Sequence, residues 1–100
     1  MYGTLAKMKV SGDNVEKLRA QFDAEEARSV PGYISSHVLV PDERPGEVWI
    51  AVFFQEKDSY TKNADDPAQH EEYLKMRALL DEDPEWIDGT WESSEPLRPA

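Results

Sequence analysis

From Tyr2 the chain alternates, with Tyr2, Thr4, Ala6, Met8 and Val10 on one side and Gly3, Leu5, Lys7 and Lys9 on the other. That period of two predicts a strand over 2–10. Ser11-Gly12-Asp13-Asn14 then offers a turn and a helix cap. From Val15 the period lengthens, and Val15, Leu18 and Phe22 share one helical face. Val30-Pro31-Gly32 ends that helix, because the residue before proline is driven out of the α region and glycine lets the chain reverse.

Two β-rich runs, Tyr33–Val40 and Val48–Gln55, flank a loop punctuated by Pro41, Pro45 and Gly46, and so predict a hairpin. Val48-Trp49-Ile50-Ala51-Val52-Phe53-Phe54 lacks polar alternation, which implies that both faces of that strand are covered. A short helical turn is expected over 58–63. A capped helix follows: Asp66 caps, Pro67 takes the first helical position and Gln69 completes a capping box. Gln69, Tyr73, Met76 and Leu80 lie on one face of it, with His70 and Arg77 on the shoulder. Asp81-Glu82-Asp83-Pro84 breaks this helix. Trp86–Glu92 reads as a last strand, Trp86, Asp88 and Thr90 facing one way and Ile87, Gly89 and Trp91 the other. The order is β-α-β-β-α-β, an α+β ferredoxin-like arrangement with the first and third strands at the centre of a four-stranded antiparallel sheet. Residues 1–92 form a single domain and 93–100 a tail. Two helices cover one face of the sheet, so a second copy of the chain is expected to cover the other as a symmetric homodimer.

The chain has 100 residues, 21 acidic and 11 basic, for a formal charge of -10, and no cysteine. Such a balance argues against nucleic acid and against an anionic membrane surface. The lack of cysteine removes disulfides, thiolate nucleophiles and Cys-based zinc sites. No apolar run approaches a membrane span and the N-terminus lacks a basic-then-apolar signal, so a cytoplasmic protein is expected. The 39% hydrophobic content is enough for a packed core. No glycine-rich phosphate loop, nucleophile elbow or metal-spaced His pair occurs, and the acidic runs at turns read as solvated charge, so no metal or cofactor is expected.

Phe54-Gln55-Glu56-Lys57-Asp58-Ser59-Tyr60-Thr61-Lys62-Asn63, followed by Asp66-Pro67, resembles the antibiotic-biosynthesis-monooxygenase family of dimeric α+β barrels. Its members often carry Trp-x-Ser after the third strand, a His nine residues on, and Ser-Pro before the second long helix. The resemblance runs from Tyr2 to about Glu92, and Pro84-Glu85-Trp86-Ile87-Asp88-Gly89 looks like the end of small actinobacterial-type members. It implies a homodimer joined through its sheet faces, with one pocket per subunit between sheet and helices. Some members oxidise phenolic polyketides with molecular oxygen and no metal or flavin; others open haem; many have no known reaction. Phe54, Asn63 and Asp66 depart from the family's usual Trp, His and Ser. In the haem-degrading branch the iron-ligating His would match Tyr73 and the strand-one Asn would fall near Lys7, which disfavours haem here.

Each candidate has a plainer alternative. His70, Tyr73 and Arg77 could line a pocket, Tyr73 donating a hydrogen bond, Arg77 stabilising an oxyanion and His70 shuttling a proton; otherwise Tyr73 is core and its neighbours are solvated. Asn63 could orient a phenol or bind peroxide-like oxygen, or form a local turn. His37 on the pocket side would be a base for a phenolic substrate, yet it lies on an edge strand whose facing the hairpin loop does not fix. Phe54, Ile50, Val52, Trp49 and Tyr60 are candidate pocket walls, as are Trp86, Trp91 and Phe53, against a role in core or interface. Glu26 continues the Val15, Leu18, Phe22 stripe; buried, it could abstract a proton, unless the helix turns away and it reaches water. Two functions are carried forward: a cofactor-independent monooxygenase of a small aromatic substrate, and a non-catalytic barrel that binds a small apolar ligand or serves as an accessory protein.

Overall fold

A computed structural model describes residues 1–26 and 30–92, with the side chains of 23–26 outside that description. In chain order the described residues form β1 (Tyr2–Lys9), α1 (Asn14–Glu26), β2 (Tyr33–Leu39), β3 (Glu47–Phe54), α2 (Lys57–Ala64), α3 (Pro67–Arg77) and β4 (Glu85–Thr90). The strands make one antiparallel sheet in the order β2-β3-β1-β4. The first and third strands are central, and the fold is the α+β ferredoxin-like one that the residue pattern predicts.

Register sorts the side chains. Thr4 pairs with Val52, Ala6 with Ile50 and Met8 with Val48 across β1–β3, while Thr4 meets Asp88 and Ala6 meets Trp86 across β1–β4. Because successive strand residues point to opposite faces, all of these turn toward the helices. Ala6, Met8, Val10, Val48 and Ile50 bury there against Leu18 and Phe22 of α1, Met76 of α3 and Leu80. The α1 stripe therefore packs as its spacing predicts. Polar ties hold the helix layer: Gln21 Nε2 donates to Glu72 Oε2 at 2.5 Å and Asn14 Nδ2 donates to the Leu79 carbonyl at 3.1 Å.

The opposite face carries Leu5, Trp49, Ala51, Phe53 and Trp91, all half-buried, with Leu39 54% and Ile87 47% exposed at its margins. The unbroken hydrophobic run of β3 thus presents apolar side chains to both sides of the sheet, and the helices cover one of them. Phe53 and Trp91 rings pack at 4.7 Å between centroids, and Lys7 Nζ lies 4.6 Å from the Trp49 ring.

The helix entry at Asp66 follows its sequence signal, the carboxylate accepting from the Ala68 amide at 2.8 Å with Pro67 at the first helical position. Strand ends shift by one or two residues from expectation, and two helices differ more. The short turn expected at 58–63 is an eight-residue helix. Helix α3 stops at Arg77, earlier than the acidic breaker, because Leu79 and Leu80 amides bond three residues back to Met76 and Arg77 and tighten the chain. Residues 93–100, expected as a tail, lie outside the described residues. Among the described residues no helix is long and apolar enough to cross a membrane.

Two glycines are required by space. An ideal Cβ on Gly3 would lie 1.8 Å from the Val52 carbonyl oxygen and 3.2 Å from Trp91 Nε1. Gly32 adopts φ +78 at the reversal into β2, where a Cβ would meet Ser59 Oγ at 2.3 Å. Gly3→Ala is expected to destabilise the protein by about 1–3 kcal/mol, since the obstruction at β1–β3 is backbone rather than a movable side chain. Urea unfolding of both proteins checks this, and an unchanged midpoint contradicts it.

Candidate functional site

Thr4 is a small residue on the helix-facing floor, and the helices above it do not close the space it leaves. A cavity of about 390 Å³ remains, within the range of small-molecule sites. Its floor is Thr4, Ile50, Val52 and Phe54; α2 contributes Tyr60, Asn63 and Ala64, α3 contributes Gln69, His70, Tyr73 and Met76, α1 Phe22, and β4 Trp86 and Asp88. The mouth is marked by His70, Trp86 and Asp88, which are exposed.

The walls are largely aromatic. Phe54 packs edge-on against Tyr60 at 5.6 Å and Tyr33 at 5.7 Å, and Tyr60 against Tyr2 at 5.4 Å. On the other side the Tyr73 ring stands 6.3 Å from His70 and 6.1 Å from Trp86. Such walls offer planar faces to an aromatic ligand.

Three polar groups of the lining, Thr4, Tyr60 and Asp88, lie close together. Tyr60 donates its hydroxyl proton to Asp88 Oδ1 at 2.8 Å. Burial of the phenol, and then the hydrogen bond and charge of Asp88, hold Tyr60 protonated well above the ordinary phenol range. The Thr4 hydroxyl nearby acts in the opposite sense, too weakly to reverse the shift, and its geometry falls short of a hydrogen bond. Thr4 is only 2% exposed, and its Oγ1 has no partner among the described residues. A buried hydroxyl left unpaired is costly, so this atom is poised for a water or a ligand.

The structure thus brings together Asn63, Tyr73, His70, Phe54, Ile50, Val52 and Tyr60 around one space. It separates the other candidates. His37 pairs with Ala51 and Trp49 with Leu39, which turns both to the face away from the helices. There His37 packs edge-on against Phe53 at 5.6 Å and meets Ser35 Oγ at 3.2 Å, while Trp49 donates its indole proton to Glu47 at 3.0 Å. Phe53 and Trp91 share that face. Arg77 also lies outside the cavity: its Nε donates to Asp83 at 2.7 Å and its Nη1 to the Leu80 carbonyl at 3.2 Å. The expected oxyanion partner is instead tied to the acidic turn below. The side chain of Glu26, at the end of α1, lies outside the described residues.

Thr4 and Asp88 were not singled out from the sequence, though a signal existed. Thr4 has the parity of the apolar β1 residues, and Asp88 shares the parity of Trp86. Among the described residues no three His, Asp or Glu side chains come together to hold a metal ion.

The sequence profile described as antibiotic biosynthesis monooxygenase matches residues 1–79. The chain belongs to this family. Similar solved structures include SnoaB, a cofactor-independent oxygenase from Streptomyces nogalater, at 18% identity over 95% of this chain and 96% of that one, with a TM-score of 0.77. A protein of Chloroflexus aurantiacus carrying the same family name is 22% identical, covering 97% and 98% of the two chains, with a TM-score of 0.74. A conserved protein from Methanosarcina mazei Go1 is 17% identical over 91% and 92%, with a TM-score of 0.77. At these identities the likeness shows the fold. No curated protein sequence matches significantly.

In this antibiotic biosynthesis monooxygenase family member the unpartnered hydroxyl makes a direct forecast. Thr4→Val, which keeps the shape and removes the buried oxygen, is expected to raise the unfolding free energy by about 1 kcal/mol. Thermal or urea unfolding without added ligand reads it, and a loss of stability contradicts the unpaired state of Oγ1.

Proposed function

We propose that this protein is a cofactor-independent monooxygenase of a small, electron-rich aromatic substrate such as a hydroquinone or a phenolic polyketide. The observation that carries the reading is the aromatic-walled cavity in which Asn63, Tyr73 and His70 converge. Membership of the antibiotic biosynthesis monooxygenase family, and the structural likeness to a cofactor-independent oxygenase, add support.

In this reading His70, at the mouth, takes a proton from the bound phenol, and the anion supplies the electrons for attack on molecular oxygen. A carbon–oxygen bond forms and the distal oxygen takes a proton. The reacting carbon then loses its hydrogen as a proton while the O–O bond breaks. One oxygen stays as the quinone carbonyl and the other leaves as water, so carbon is oxidised and oxygen reduced without an outside reductant. Asn63 and the Tyr73 hydroxyl orient the phenolate and stabilise developing negative charge on oxygen. Apolar walls exclude water from the reactive anion.

The proposed assembly is a homodimer. Its support is the second apolar face of the sheet, where Leu5, Trp49, Ala51, Phe53 and Trp91 lie together and Leu39 and Ile87 are exposed. A patch of this kind on a lone chain is unusual, and a symmetric pairing would cover it.

A second reading is a barrel that binds a small aromatic molecule without turning it over. It is favoured by the positions of His37 and Arg77, two groups expected in the chemistry and found outside the cavity. Oxygen uptake separates the two. With hydroquinones and anthrone-type phenols, the monooxygenase reading expects catalysed uptake that falls about 100-fold in Asn63→Ala and Tyr73→Phe, the scale of a lost oxyanion donor. Binding of the same compounds without uptake supports the second reading.

A further inference from the structure

The cavity lining carries one carboxylate, Asp88, and one imidazole, His70, which stacks on Tyr73. No lysine or arginine lines it among the described residues. Arg77 and Lys57 are engaged elsewhere: Arg77 is fastened to Asp83 and the Leu80 carbonyl, and Lys57 Nζ lies 5.8 Å from the centre of the Tyr2 ring.

The hydrogen-bonding capacity at this end is equally one-sided. Tyr60 has a single proton, and it is directed to Asp88 at 2.8 Å. The Tyr60 oxygen and the Asp88 carboxylate therefore face the cavity as acceptors. Of these three groups only the Thr4 hydroxyl, buried at 2% exposure and without a partner among the described residues, has a proton to give. A ligand group that meets these oxygens is matched best when it is itself a donor.

We propose that the Thr4–Tyr60–Asp88 end of the cavity is a specificity subsite. It selects aromatic ligands that present a hydroxyl or a protonated amine and rejects those that present a carboxylate. This rests on the reading that the cavity holds an aromatic ligand, but not on turnover. It assigns Asp88 a role in choosing the ligand by charge and Thr4 a role in holding its donor group. An anion brought here would lose water without gaining a countercharge, beside a carboxylate already committed to Tyr60. The chain's formal charge of -10 acts in the same direction at long range. In salt near 0.15 M that field is screened within about 8 Å, so discrimination surviving there belongs to the local group.

The test is calorimetric binding of naphthol, naphthylmethylamine and naphthoate to the full chain at neutral pH and about 0.15 M salt. Naphthol and the ammonium compound are expected to bind, and naphthoate about tenfold or more weaker, the scale of one close charge contact. Asp88→Asn should reduce the ratio of ammonium to naphthoate affinity by about tenfold. Thr4→Val should weaken naphthol while leaving that ratio intact. Naphthoate binding as tightly as the amine, or a ratio unmoved by Asp88→Asn, overturns the proposal. Failure of all three probes to bind overturns it together with the ligand-cavity reading. The expected binding pattern without oxygen uptake upholds the subsite and counts only against catalysis.

Discussion

The pairing of β1 against β3 governs this molecule, because a strand that can approach its neighbour only through Gly3 has a single workable register. With a Cβ at that position the Val52 carbonyl would be displaced, and with any one-residue slip every side chain on both central strands would exchange faces. Held in place, the register turns Thr4, Ala6, Ile50 and Val52 toward the helices and Leu5, Trp49, Ala51 and Phe53 away from them. Both the cavity and the second apolar surface descend from that one alignment.

A small residue on the floor matters as much as the large ones around it. Had Thr4 been a leucine, its side chain would enter the space now bounded by Phe54, Tyr60, Tyr73 and Trp86. The cavity keeps its aromatic walls because those rings come from four different elements and pack on one another at its edges rather than across it. Beside these walls Tyr60 and Asp88 satisfy each other, and the Thr4 hydroxyl does not find a partner among the described residues.

Much of the fold was legible because the signals were local and periodic. Alternation marked β1, the Val15–Leu18–Phe22 spacing marked α1, and Asp66-Pro67 marked the start of α3. The site was legible in part. Asn63 and Phe54 came from a family likeness in the segment after β3, and Tyr73 and His70 from helical spacing. Arg77 misled because seven residues restore nearly the same azimuth, yet they advance about 10 Å along the axis, beyond the cavity and into reach of Asp83. His37 was undecided because hairpin length leaves parity open; the irregularity between Tyr33 and Ser35 sets it opposite Ala51. Asp88 and Thr4 acquire meaning only when α2 brings Tyr60 between them, a long-range event that no local pattern encodes.

On the proposed reading one sheet serves two surfaces, an inner one that encloses a ligand and an outer one that a second copy covers. Sedimentation equilibrium of the full chain at micromolar concentration tests this most directly, with Phe53→Glu placed at the centre of the outer surface. The account predicts twice the chain mass for the unaltered protein and the single-chain mass for the variant, with helix and strand content retained. A folded, unaltered protein that sediments as a single chain would contradict it.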